Sequence, residues 1–296
     1  MRPQQRAVMD RRGFLLGLMA AGGAGGSWAG GAPRIASPGL QLYTVRTELA
    51  RDFRGTLARV AAMGYREVEF AGYFDVPART LRAMLDDLGL AAPSAHVGDG
   101  LFGPQAQRIL DDALTLGHRY LVQPWVPAAQ WRDLDGWKRR AQAFNRAGEL
   151  CRRAGLQFCY HNHHFEFAVL QGQRPYELLL AECDAALVQM ELDVCWAAAA
   201  RQDVLGLLRS HPGRFPMVHL KQLKALPPLP GGDVLGMRAE DAAALMTEVG
   251  PGAIDFAGLL ADPASRSIRH FFVEHDQPAA PMASIEASLR YVQGLR

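Results

Sequence analysis

From Gly39 onward, short apolar runs alternate with longer stretches in which apolar residues recur every three or four positions. The first kind reads as strand and the second as amphipathic helix. Strands are predicted over 39–43, 67–70, 92–96, 120–123, 156–161, 188–192, 217–221 and 268–274. Helices are predicted over 53–63, 77–88, 104–116, 130–154, 176–181, 204–209, 239–247, after Asp255, and over 282–293. Chain punctuation agrees: Pro77 opens a helix that Gly89 closes, and Gly64 and Gly155 close two others. A looser stretch rich in Pro and Gly runs to Gly236. Eight strand–helix units in about 260 residues predict a single (β/α)8 barrel, whose usual size is roughly 250 residues. The barrel is expected to occupy residues 36–296. A doubly wound sheet is disfavoured, because no Gly-x-Gly-x-x-Gly follows an early strand.

The first thirty residues break this pattern. Asp10-Arg11-Arg12-Gly13-Phe14-Leu15 leads into a weakly apolar run, Leu16 to Ala21, and Ser27-Trp28-Ala29 offers a small-x-small cleavage site. Residues 1–30 are therefore expected to be a twin-arginine signal peptide, with the translocase as a transient partner and the periplasm as destination. The run is too short and too broken by glycine to serve as a permanent membrane anchor. The leader carries Arg2, Arg6, Arg11 and Arg12 against Asp10, so its removal turns the formal charge of +2 into about −1. That leaves no basic footprint for nucleic acid. The four cysteines, Cys151, Cys159, Cys183 and Cys195, lie in apolar surroundings without C-x-x-C spacing and are expected to be buried thiols.

Polar residues stand where the strands end. Tyr160-His-Asn-His-His-Phe-Glu-Phe167 closes the fifth strand, Asp193 the sixth, His219 the seventh and Glu274 the eighth. Gln41, Glu69, His96 and Gln123 stand at the ends of the first four. In a (β/α)8 barrel these ends open on one shared mouth, where catalytic groups gather. Imidazoles and carboxylates brought together there have the makings of a metal site. Taken alone, Asp193 could equally cap the following helix, and Glu274 could pair with Arg269. His164, His211 and His270 read as ordinary packing or surface residues.

Several of these segments together resemble the xylose isomerase-like barrels, a superfamily of sugar-phosphate isomerase/epimerases, inosose dehydratases and apurinic endonucleases. The segments are Gly39-Leu-Gln-Leu-Tyr43, Tyr160-His-Asn-His163, Leu192-Asp-Val194, Val218-His-Leu-Lys221, Gly250-Pro-Gly-Ala-Ile-Asp255 and Val273-Glu274. The resemblance implies one divalent ion, manganese, zinc or cobalt before magnesium or iron, held by His161, Asp193, His219 and Glu274. His161 stands where relatives carry a metal-binding glutamate. It implies Glu274, His161, His163 and Lys221 as catalytic groups. Glu274 is the expected base beside a metal-stabilised enediolate, and Lys221 is placed to offset oxyanion charge. Gln41, Glu69, His96 and Glu166 are the expected polar contacts to the substrate, and Trp125 and Trp196 its stacking surfaces.

The function so implied is that of a metal-dependent sugar isomerase or epimerase working on a small keto or aldo sugar. A lyase or dehydratase acting on 3-keto-glycosides or inosose-like substrates uses the same first step. A non-catalytic carbohydrate-binding barrel is a further alternative. An endonuclease is disfavoured by the mature charge.

Overall fold

The computed structural model describes Ile35, residues 38–127 and residues 132–295. The expected leader falls outside the described residues. Eight parallel strands close into a barrel: Gly39–Gln41, Glu67–Phe70, Ala91–His96, Tyr120–Gln123, Gln157–His161, Val188–Asp193, Met217–Leu220 and His270–Val273. Each strand pairs with its successor in the chain, and Gly39↔Phe272 and Leu40↔Val273 close the ring. We refer to these as the first to eighth barrel strands. The compact unit Ala32–Arg296 contains all of them.

The helices cover the outside for the reason their periodicity gives. Ala78–Leu88 buries Leu81 and Leu85, and Ala106–Leu116 buries Leu110, Ala113 and Leu116. Leu134–Arg153 starts where Asp133 accepts a hydrogen bond from the Gly136 amide (2.6 Å), and it buries Trp137, Ala141, Phe144, Ala147 and Cys151. All four cysteines are buried free thiols, as expected, and burial pushes Cys151 up to about 12.

Gly148 lets the longest helix lie against the chain entering the sixth strand. A Cβ there would come within 2.5 Å of the Leu187 carbonyl oxygen and 2.8 Å of its carbon. Alanine inside a helix ordinarily gains about 1 kcal/mol over glycine. Here overpacking against rigid backbone costs about 1–3 kcal/mol and wins. Gly148→Ala is expected to lower the melting temperature, by roughly 2–4 °C per kcal/mol lost. An unchanged or higher Tm in a thermal melt would show that the helix has slack at this point.

Two expectations are corrected. The predicted helix 239–247 ends at Ala243, and Met246–Thr247 instead pairs antiparallel with Gln222–Leu223. The reason is packing: Met246 and Leu223 bury themselves with Met237, Ala242 and Trp196 in an apolar cluster of their own. A helix that was not predicted, Val194–Ala199, follows Asp193 directly, and Asp193 Oδ1 caps it by accepting from the Trp196 amide (2.9 Å). Asp255 opens the helix Phe256–Ala261 as expected. Among the described residues, no helix is long and apolar enough to cross a membrane.

Candidate active site and metal centre

Side chains alternate along a strand, so the barrel interior is read in steps of two. One interior layer is apolar: Tyr120, Val122, Cys159, Met217 and Phe272 pack together. Two residues further along, the character changes. His161 follows Cys159, His219 follows Met217 and Glu274 follows Phe272. Glu69, His96 and Glu191 join them from the second, third and sixth strands.

Most contacts converge on His219. Its Nε2 lies 2.6 Å from Glu69 Oε2 and 3.3 Å from Glu191 Oε2, and its Nδ1 lies 2.6 Å from Glu274 Oε2. Glu191 Oε2 also meets His96 Nε2 at 2.8 Å and His161 Nδ1 at 3.1 Å. Gln41 donates to Glu69 (2.7 Å). Lys221 Nζ sits among three carboxylates, 2.9 Å from Asp193, 2.8 Å from Glu274 and 2.8 Å from Asp276. His161 Nε2 is 3.6 Å from Asp193 Oδ2. Asn162 holds the fifth and sixth strand ends together by accepting from the Asp193 amide (3.0 Å).

The electrostatics follow from burial and these neighbours. Burial disfavours a charge on His219, yet Glu191, Glu274 and Glu69 together raise it well above the ordinary imidazole range. Lys221 is likewise opposed by burial and held well up by Asp193, Asp276 and Glu274. Burial would raise Glu274, but Lys221 and His219 more than offset it and keep it strongly ionised. Glu191 is held down in the same way, chiefly by His219, whereas burial and the charge of Glu191 push Glu69 up. Burial, reinforced by His219, takes His161 down to about 3, and His163 is also lowered well below its usual value, so both stay neutral.

Two donor sets result, and they share His219. The inner set is His96, His161, Glu191 and His219; the outer set is Asp193, His219 and Glu274. In each, one ligand atom per residue lies within 4.8 Å of all the others. Both sets suit a divalent cation. Carboxylates from Asp193, Glu274 and Asp276 share a single ammonium, and Glu69 Oε1 and Glu191 Oε1 are buried without a hydrogen-bond partner. Three imidazoles with carboxylate favour a borderline ion such as zinc, manganese, cobalt or iron over calcium.

Above these groups opens a cavity of about 500 Å³, walled by Tyr43, Trp125, His163, Trp196, Glu240 and Gln277. His96, His161, Lys221, Glu274 and Asp276 face it from below. A model of the xylose isomerase-like TIM barrel matches residues 57–262. The chain belongs to that family. This family member is 24% identical over 230 residues to an inosose dehydratase of Geobacillus kaustophilus, covering 69% of this chain and 73% of that one. Its fold matches a sugar phosphate isomerase/epimerase from Parabacteroides distasonis (TM-score 0.70, 25% identity, 90% of this chain and 96% of that one). It also matches the IolI protein, whose structure holds a zinc atom (TM-score 0.65, 15% identity, 88% and 97%).

The barrel gathers His161, Asp193, His219, Glu274 and Lys221 in one place, and it puts His163, Trp125 and Trp196 on the cavity wall. Other expected positions are different. Gln41 and Glu69, both with 0% exposure, lie beneath the cavity, where they brace His219 and do not line it. His96 reaches the cavity but is turned onto Glu191. Glu166 points away from the cavity: it is fully buried, bonds the Tyr160 hydroxyl and accepts from the His163 amide (2.9 Å), which fixes the loop that carries His163. Glu274 pairs with His219 and Lys221, not with Arg269. Glu191 and Asp276 were not singled out from the sequence. Glu191 sits inside the apolar run 188–192, and the available signal was its two-residue spacing from Asp193, which puts both on one face.

Proposed function

We propose that the protein is a divalent-metal-dependent enzyme that moves a proton on the carbon next to a sugar carbonyl, giving isomerisation or epimerisation. The bound ion would supply Lewis-acid polarisation of the carbonyl oxygen. His219 would hold it, with His96, His161 and Glu191 on the inner side and Asp193 and Glu274 on the outer. The observation that carries the reading is that the Glu274 carboxylate and the His161 and His163 imidazoles face one cavity, so an acid–base pair reaches the same substrate from two sides. Lys221 Nζ, engaged by Asp193, Glu274 and Asp276, is placed to hold Glu274 in position and ionised.

Supporting a neutral sugar, the charged lining of the cavity is Lys221, Glu240, Glu274 and Asp276, and its one ammonium is already engaged by three carboxylates. A phosphate dianion would sit against Glu274 and Asp276 without a free cation in that lining. Trp125, with 51% exposure, and Tyr43, with 41%, offer apolar faces to a sugar ring at the mouth.

Elimination of water or an aglycone is the second reading. It is favoured by the resemblance to an inosose dehydratase. Incubation with neutral keto sugars in deuterated water distinguishes the outcomes. Deuterium incorporation with the sugar's mass otherwise conserved is expected, and an unsaturated product would establish the lyase instead. Absence of both exchange and product across metal-loaded samples would overturn the enzymatic reading and leave a binding barrel.

Export by the twin-arginine route is part of the same proposal, supported by Asp10-Arg11-Arg12-Gly13-Phe14-Leu15 ahead of an apolar run. Arg11→Lys/Arg12→Lys is expected to keep the protein in the cytoplasm. Unchanged periplasmic recovery after cell fractionation would count against that route.

A further inference from the structure

We propose that the N-terminal mouth of the barrel is a second binding site, for a small polyanion carrying at least two phosphate or carboxylate groups. A cavity of about 660 Å³ opens there, at the end opposite His219 and Glu274. Arg119, Arg152, Arg266 and Arg269 line it together with Tyr120 and Gln157, and among the described residues no acidic one does. Arg119 and Arg269 immediately precede the fourth and eighth strands, and Gln157 begins the fifth. The strands themselves therefore aim these groups at one concavity. The apolar layer of Tyr120, Val122, Cys159, Met217 and Phe272 stands between this mouth and the catalytic end, so the two sites are separate.

The gathering of four guanidiniums around one concavity distinguishes this mouth from a solvated surface. Of its four guanidiniums, Arg152 is bound by Glu149 at 2.8–3.0 Å. Among the described residues Arg119, Arg266 and Arg269 have no carboxylate in ion-pair range. Exposed Arg51, Arg79, Arg139 and Arg146 also lack a carboxylate partner among the described residues, but they are scattered over the outer helices, whereas these guanidiniums share one concavity. Tyr120 marks the inner wall: burial raises its phenol, against the pull of the Arg269 and Arg119 guanidiniums beside it.

Like charges collected around a concavity repel one another, and an oxyanion relieves that repulsion. Guanidinium forks are also the donors that fit phosphate and carboxylate in pairs. The volume falls within the range of small-molecule pockets, roughly 300–1,000 Å³. A mature charge of about −1 supplies no wider basic surface of the kind a nucleic acid needs. The N-terminal end of such barrels ordinarily serves stability, and three guanidiniums without a carboxylate partner do not serve that end. The site does not depend on the reaction proposed above.

Isothermal titration of the metal-loaded protein with tripolyphosphate and, separately, citrate tests the proposal. Sodium chloride at matched ionic strength is the control. Saturable 1:1 binding of one or both anions is expected, and which one binds identifies phosphate or carboxylate as the preferred group. Arg119→Gln/Arg266→Gln is expected to weaken it by roughly tenfold or more, as loss of charge-assisted bonds should. Thermal unfolding without anion and turnover at the other end of the barrel should stay unchanged, because neither side chain makes an internal ion pair. The single variants Arg266→Gln and Arg269→Gln, measured separately, cover a fold defect in the double variant. Heats that only track ionic strength, or an affinity that the arginine variants leave intact, would overturn the site.

Discussion

Exchanging His219 for asparagine should empty the site of divalent metal and slow turnover by roughly a thousandfold or more, since Lewis-acid stabilisation is worth several kcal/mol. The expectation rests on His219 being common to both donor sets, with one ring nitrogen toward Glu191 and the other toward Glu274. Metal content after dialysis against a weak chelator is the direct readout, and circular dichroism checks that the barrel still folds. Two further variants separate the sets. If the ion lies among His96, His161, Glu191 and His219, Glu191→Gln releases it and Asp193→Asn does not. If it lies with Asp193 and Glu274, the pattern reverses. The inner set has the advantage that Lys221 already neutralises the outer carboxylates. Full metal retention in the His219 variant would remove both placements.

The second large effect concerns stability. Lys221 is 2% exposed and touches Asp193, Glu274 and Asp276. Lys221→Met would leave these carboxylates without their ammonium, and unpairing a buried charge costs about 3–5 kcal/mol. The sign of the pH dependence follows. In the native protein Lys221 and His219 depress Glu274, so Glu274 contributes stability above its unfolded range that is lost as pH falls. Without the ammonium that contribution shrinks, and burial pushes the carboxyls up. The variant's deficit should therefore be larger at pH 8 than at pH 5, where the carboxyls can take up protons. Urea unfolding at the two pH values measures it. A deficit equal at both would mean that packing of the lysine stem, not its charge, is what the fold uses. Added divalent metal should recover part of the loss in the variant.

The architecture was readable in the sequence because a parallel barrel buries its strands on both faces, so each appears as an apolar run with its polar residue at the end. Asp193, His219 and Glu274 were found by that rule alone. Glu191 escaped it because one carboxylate inside an apolar run looks like an interruption, and only closing the barrel shows that His96, His161 and His219 from three other strands surround it. Glu166 was misplaced for a related reason. Its position after His163 suggests the mouth, but the short turn Phe165–Phe167 rotates it inward to Tyr160. The ribbon between Gln222–Leu223 and Met246–Thr247 joins segments far apart in the chain, and no local periodicity announces it.

Asp193 ties charge to architecture in a way that limits how this barrel can drift. One of its oxygens starts the helix bearing Trp196, and the other faces Lys221. A glutamate there would keep the charge but reach too far to start the helix, so the indole wall of the cavity would shift. Asparagine keeps the helix start and gives up the charge. Descendants that abandon this carboxylate while preserving their pocket shape should therefore pass through asparagine, and their loss of chemistry would come without loss of form.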